Sequence, residues 1–242
     1  MLKTENFQSI LDRAKKHYNY LTDSKKKRIK EELDHGKALL DSNDQMKAYI
    51  ALYGDIHQAK LERAFKNIPG TLLLKNISVI DWGCGQGLAS ILFNDFIHEK
   101  FDNNKIKDIT LIEPSRHCLS MATTYLNDCR GDFTVYSFSE KEENVDPKDF
   151  ILEGEIIVHL LSNVVDMPEF EGEKIIELIK HKSQKKHLLI CVSPFYPEEG
   201  REKRMDEYGE RLHGFNTLYS FEKHIDDWDE DYSCQIRIFS NI

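Results

Sequence analysis

Val79-Ile80-Asp81-Trp82-Gly83-Cys84-Gly85-Gln86-Gly87 is the stretch whose reading decides the fold. An apolar run ends at an acid, and three glycines then fall at every second position before an amphipathic segment begins. Glycines at 83, 85 and 87 remove Cβ atoms where a chain must turn sharply and let a ligand approach its backbone. A helix starting there would aim its unsatisfied N–H groups and positive dipole end at that ligand. The spacing G-x-G-x-G is not the G-x-G-x-x-G of dinucleotide sites, and no phosphate-loop G-x-x-x-x-G-K-[ST] occurs here. Asp81, two places before the first glycine, suits a ligand with a positively charged group better than a pyrophosphate.

Working outward, short apolar runs alternate with amphipathic stretches, which predicts βα repeats and a mostly parallel sheet. Strands are expected at Asn76–Ile80, Asp108–Ile112, Phe133–Phe138, Glu155–Leu161 and His187–Val192. Helices are expected at Gly87–Glu99, Ser115–Asp128 and Glu171–Lys182, with a short one near Asp146–Ile151. Beyond Pro197 the densely charged Glu198–Arg211 reads as a surface helix or lid. Asn216–Phe221 and Tyr232–Ser240 would finish the sheet as antiparallel strands around an acidic turn at Asp226–Asp231. Pro69-Gly70 marks a boundary. Residues 1–67 contain no proline and read as helical, with Met46, Tyr49, Ile50, Tyr53, Ile56, Leu61, Ala64 and Phe65 near helical spacing. The expected organisation is a helical N-terminal extension, 1–69, followed by an α/β, Rossmann-like domain, 70–242, with a mostly parallel sheet of about seven strands and flanking helices.

A second carboxylate strengthens the first. Glu113 ends the second predicted strand, 26 residues after Gly87, where an acid accepts hydrogen bonds from ribose hydroxyls in nucleotide-binding folds. Pro114 stops the strand and turns the chain. Asp81-Trp-Gly-Cys-Gly-Gln-Gly87 followed by Glu113 resembles motif I and the second-strand acid of class I S-adenosylmethionine-dependent methyltransferases. The resemblance covers roughly residues 70–240 in element order, and these two motifs are its specific part.

The resemblance implies S-adenosyl-L-methionine as cofactor, with S-adenosyl-L-homocysteine as product. It assigns the methionine part to Asp81, Gly83, Cys84, Gly85 and Gly87, and the ribose to Glu113. Residues just after the third strand would flank the adenine, here Ser137 and Phe138. The end of the fourth strand, His159 and Leu160 through Asn163, would line the methyl donor. Each has a plainer rival: a tight ligand-free turn for the glycines, a surface carboxylate for Glu113, core packing for Phe138, and a buried hydrogen-bonded histidine for His159.

Methyl transfer from a sulfonium asks little of the protein beyond proximity and alignment. Catalytic groups are therefore weakly encoded, and Asn163 and Asp166, just past the fourth strand, are the candidates, with helix capping as the rival role. No [DNS]-P-P-[YF] motif of amino-methylating nucleic-acid enzymes follows Leu161. Ser193-Pro-Phe-Tyr196 echoes it after the wrong strand and lacks the second proline. No Pro-Cys pair offers the nucleophile of a cytosine-C5 enzyme. The helix bearing Tyr49 and Tyr53 and the segment 198–215 are expected to wall the acceptor pocket. A cofactor sensor or inactive relative in a larger assembly, or another nucleotide-type ligand, is the alternative.

The remaining evidence excludes other classes. The five cysteines show no C-x-x-C pair, so neither a zinc site nor a disulfide framework is indicated, and a cytoplasmic setting fits. No apolar run approaches the ~18 residues that span a bilayer, and no secretory signal is evident. The net charge is −9, but residues 1–75 carry 15 basic against 10 acidic residues. The run Lys25, Lys26, Lys27, Arg28, Lys30 could meet nucleic-acid phosphates, with a solvated helix face as the favoured alternative.

Overall fold

The structure, a computed structural model, describes residues 5–33, 40–101, 105–195, 200, 202–224 and 232–242. Three helices come first: α1 (Phe7–Asn19), α2 (Asp23–Glu32) and α3 (Asn43–Lys66). A 3-10 turn at Leu72–Leu74 leads to β1 (Ile77–Trp82), α4 (Leu88–Lys100), β2 (Ile106–Ile112), α5 (Arg116–Asp128) and β3 (Thr134–Phe138). Then follow β4 (Ile156–Ser162), α6 (Glu173–His181), β5 (Lys186–Ser193), α7 (Glu202–Arg211), β6 (Asn216–Lys223) and β7 (Cys234–Ser240). The short helix expected near Asp146–Ile151 is a single 3-10 turn, Pro147–Asp149. The expected turn at Asp226–Asp231 and the start of the segment at Glu198 lie outside the described residues.

The seven strands form one sheet in the order β3-β2-β1-β4-β5-β7-β6. The first five are mutually parallel; β7 runs antiparallel to both β5 and β6. Parallel pairing requires crossovers, and the intervening helices supply them. The order reverses between β1 and β4, and an open parallel sheet leaves a crevice beyond the carboxyl ends of the strands at such a point.

Alternation along the strands sends side chains to two cores. Val79, Ile109, Leu111, Val158, Leu160 and Ile190 face a layer built by α1, α3, α4 and α5. Ile80, Trp82, Ile157, Leu161, Leu189 and Cys191 face the opposite layer, covered by α6 and α7. Within the first layer Phe65 of α3 meets Phe93 of α4 edge-on, ring centroids 5.1 Å apart. Burying each such ring contributes about 1.5–3 kcal/mol. Helices α1 and α3 thus share a core with the sheet, while Ile29, Leu33, Leu40, Met46 and Cys118 form a smaller cluster where α2 and the start of α3 meet α5.

Candidate functional site

The glycine loop carries the turn from β1 to α4. Gly83, Gly85 and Gly87 all adopt positive φ, at 65°, 52° and 75°, a region that side chains other than glycine enter at about 1–2 kcal/mol. Their surroundings differ. A Cβ on Gly83 would stand 2.6 Å from Val164, and one on Gly87 2.9 Å from Ala122. One on Gly85 would meet nothing within 4 Å. Two glycines therefore serve the chain's own packing, and the middle one opens on free space.

Asp81 is turned towards α4. Its Oδ2 accepts hydrogen bonds from the Ser90 hydroxyl at 2.7 Å and the Ser90 amide at 3.2 Å. Gly87, at the N-cap, has no side chain to cap that helix, so β1 supplies the acceptor instead. Asp81 is almost wholly buried, and burial lifts its carboxyl to about 7 against the lowering effect of the Ser90 bonds. This buried strand residue also explains why β1 runs two residues past the expected end at Ile80. Cys84 is buried, its amide bonded to the Ile112 carbonyl at 3.0 Å.

Glu113 latches the loop. Its Oε2 accepts from the Gly85 amide at 3.0 Å and its Oε1 from the Ser115 amide at 2.9 Å. Ser115 caps α5, and its hydroxyl bonds the Leu40 carbonyl, so the approach to α3 is tied down beside the same carboxylate. Burial raises the Glu113 pKa, opposed by the two amides.

Beyond these strand ends lies a crevice of about 410 Å³. Trp82 and Gly83, Ile112 and Pro114, Glu140–Glu143, and Val164, Met167 and Phe170 border it. The wall after β3 is thus 140–143 rather than Ser137 and Phe138. Ser137 is exposed on β3, and Phe138 stacks on Phe150 with centroids 5.4 Å apart. Deeper in the crevice loop, Gln86 is buried and its Oε1 has no hydrogen-bond partner among the described residues. The open space at Gly85, the Glu113 carboxylate beside it and this orphaned amide oxygen fit a polar ligand bearing hydroxyl and amino donors.

His159 and Leu160 stand back from the crevice, fully buried, because β4 continues to Ser162. Leu160 belongs to the α3–α4 layer. His159 lies in a polar chain: Trp82 Nε1–H donates to His159 Nδ1 at 3.1 Å, and His159 Nε2 lies 3.0 Å from His187 Nδ1. His187 Nε2 lies 3.2 Å from the Lys182 carbonyl. With the indole only a donor and the carbonyl only an acceptor, each ring carries its proton on Nε2 and the whole chain is satisfied by neutral histidines. Burial first, then the neighbouring ring, lowers the His159 pKa well below its usual value, and burial lowers that of His187.

Asn163 follows β4 directly and, among the described residues, is the one non-glycine with positive φ, at 59°. Its amide bonds the Val192 carbonyl at 2.7 Å. Its side chain meets two residues of α3: Oδ1 accepts from Lys60 Nζ at 3.3 Å, and Nδ2 lies 3.3 Å from His57 Nδ1. His57 Nε2 lies 2.9 Å from the Tyr49 hydroxyl. Asp166, also buried, is close enough to pull the Lys60 pKa upward. The structure therefore gathers both catalytic candidates around Lys60, a residue the sequence reading passed over. The available signal was two polar side chains, His57 and Lys60, on the buried stripe of α3. Tyr196 lies outside the described residues. Among those described, no helix is long and apolar enough to cross a membrane, and no group of His, Cys, Asp and Glu is placed to hold a metal ion.

The sequence matches no protein-family model and no curated protein. Among solved structures the chain is similar to the plantazolicin methyltransferase BpumL, solved with S-adenosylhomocysteine, at 11% identity, 97% of each chain and TM-score 0.49. It is similar to the N-methyltransferase NodS from Bradyrhizobium japonicum at 9% identity, over 78% of this chain and 96% of that one, with TM-score 0.48. Similarity to M. capricolum TrmK, also with S-adenosylhomocysteine, is 13% over 75% and 67% of the two chains, with TM-score 0.46. Likeness at this level assigns neither activity nor acceptor.

Proposed function

We propose that this chain is an S-adenosylmethionine-dependent methyltransferase. The observation that carries the reading is the pairing, across one loop, of the open backbone at Gly85 with the Glu113 carboxylate. When bound, the cofactor would supply a methyl group activated on a positively charged sulfur. Gly83, Cys84, Gly85 and Gly87 would border its methionine part with main chain, while Asp81 holds the loop against α4. Glu113 keeps acceptor capacity beyond its two amide bonds, since each carboxylate oxygen has two lone pairs, and would take the ribose hydroxyls. Pro114 and residues 140–143 would enclose the adenine. Residues 70–242 would then supply the cofactor half of the site.

The acceptor half falls to the helical residues 1–69 and the turn after β4. Asn163 is half-buried, fixed in place by its strained backbone, and available to hydrogen-bond an acceptor. Supporting a protein without disulfides in a reducing, cytoplasmic setting are five buried cysteines. Titration calorimetry with S-adenosylmethionine and with S-adenosylhomocysteine tests the reading. Micromolar binding of either is expected, and no heat from folded protein with both would overturn it.

A further inference from the structure

Resting on that reading of Asn163, a further role emerges for the buried residues behind it. Lys60, Asn163, His57 and Tyr49 form one connected chain of contacts at 3.3, 3.3 and 2.9 Å. Lys60 and His57 are buried, whereas Asn163 and Tyr49 are half-buried, so the chain reaches outward at both. Its hydrogen-bond directions depend on one proton. An ammonium can only donate, so a charged Lys60 must face the Asn163 oxygen. That leaves Nδ2 for His57, whose Nδ1 must then accept, and His57 Nε2–H donates to Tyr49. The Tyr49 hydroxyl proton is left to point outward.

A neutral amine has a lone pair and releases this constraint. With the amide turned over, Nδ2 donates to Lys60, His57 Nδ1–H donates to Oδ1, and Tyr49 donates to Nε2. The Tyr49 oxygen then offers a lone pair outward.

We infer that Lys60 is a positioning residue for the acceptor: through Asn163 and His57, its charge decides whether Tyr49 presents a proton or a lone pair to the molecule being methylated. The lone-pair state holds an acceptor by an N–H or O–H and leaves that acceptor's own lone pair free to attack. The surroundings favour the neutral amine. Among the described residues Lys60 makes one hydrogen bond, to an uncharged amide. Burial lowers its pKa, with Cys234 at the start of β7 and Asp166 after β4 opposing, and His57 facing it from α3 is itself held to about 3 by burial.

The test follows the two His57 ring nitrogens by long-range proton–nitrogen NMR correlation from about pH 6 to pH 10, below and up to the usual lysine range. His57 stays neutral throughout, so a change reports its tautomer. Conversion from Nε2–H to Nδ1–H as Lys60 loses its proton is expected, and Lys60→Met should abolish it. A single tautomer across the range, or the same conversion in Lys60→Met, overturns the inference. The parent titration decides alone if that variant does not fold. Calorimetry with S-adenosylmethionine on the same samples separates the failures. No heat from a protein whose His57 converts removes the methyltransferase reading, and heat from one whose His57 is fixed removes the role of Lys60.

Discussion

Replacing His159 by leucine or by glutamine probes the polar chain that runs from Trp82 through His187 to the Lys182 carbonyl. Leucine strands the buried indole N–H and His187 Nδ1, each costing about 1–3 kcal/mol, so a loss of about 2–6 kcal/mol is expected at neutral pH. Glutamine can accept from Trp82 and donate to His187, so its loss should be smaller. The pH dependence is the sharper readout. A histidine whose folded pKa is depressed contributes stability that is present above its unfolded pKa, about 6.5, and lost as pH falls. Between about pH 7.5 and pH 5.5 the unfolded chain takes up this proton and the folded one does not, which costs about 1.4 kcal/mol per histidine. Both variants should therefore lose about 1.4 kcal/mol less than the parent over that interval, in urea denaturation at the two pH values. Carboxyls with raised pKa, such as Asp81 and Asp95, act with the opposite sign but cancel in the comparison. Parallel losses in all three proteins would refute the neutral, directional chain.

Further outcomes concern the loop and the helices. Gly85→Val should abolish S-adenosylmethionine binding in calorimetry while the protein stays folded, at a cost of about 1–2 kcal/mol for its positive φ. Glu113→Ala should weaken that binding by about one to two factors of ten, the loss of about 1.5–3 kcal/mol of charge-assisted hydrogen bonding. Parental affinity in both variants would move the site elsewhere. Gly154→Ala should destabilise by about 3 kcal/mol or more in thermal unfolding, since its Cβ would lie 2.2 Å from the Ser78 amide nitrogen. The run at 25–30 is partly engaged, with Lys25 paired to Asp44, Arg28 to Glu32 and Lys26 over Tyr18. Filter binding should accordingly detect no RNA retention at physiological salt. Salt-steep retention lost in Lys27→Glu and Lys30→Glu would instead make this face a nucleic-acid contact.

What could be read beforehand was whatever a short segment dictates by itself. The glycine spacing and the carboxylate at the end of β2 are local statements about backbone freedom and strand ends, and the strands fall within about two residues of expectation. Asp81 misled the reading of β1 because a charged residue suggests an edge, whereas this one is buried on Ser90. The crevice wall at 140–143 looked like a solvated connection, since charge alone does not reveal which side of a loop faces a cavity. Lys60 and Asn163 are 103 residues apart, and Trp82 and His159 are 77 apart. Such pairings depend on where the sheet places β4 beside β1 and α3, which no periodicity encodes.

The Glu113 latch has a kinetic consequence. Because the Gly85 and Ser115 amides already converge on its carboxylate, the ligand-bearing turn is held in shape before any ligand arrives. Binding then needs no ordering of that turn, so little affinity is diverted into freezing backbone motion. Association should follow a single phase linear in ligand concentration, with no slow isomerisation, and differences between related ligands should appear in how fast they leave.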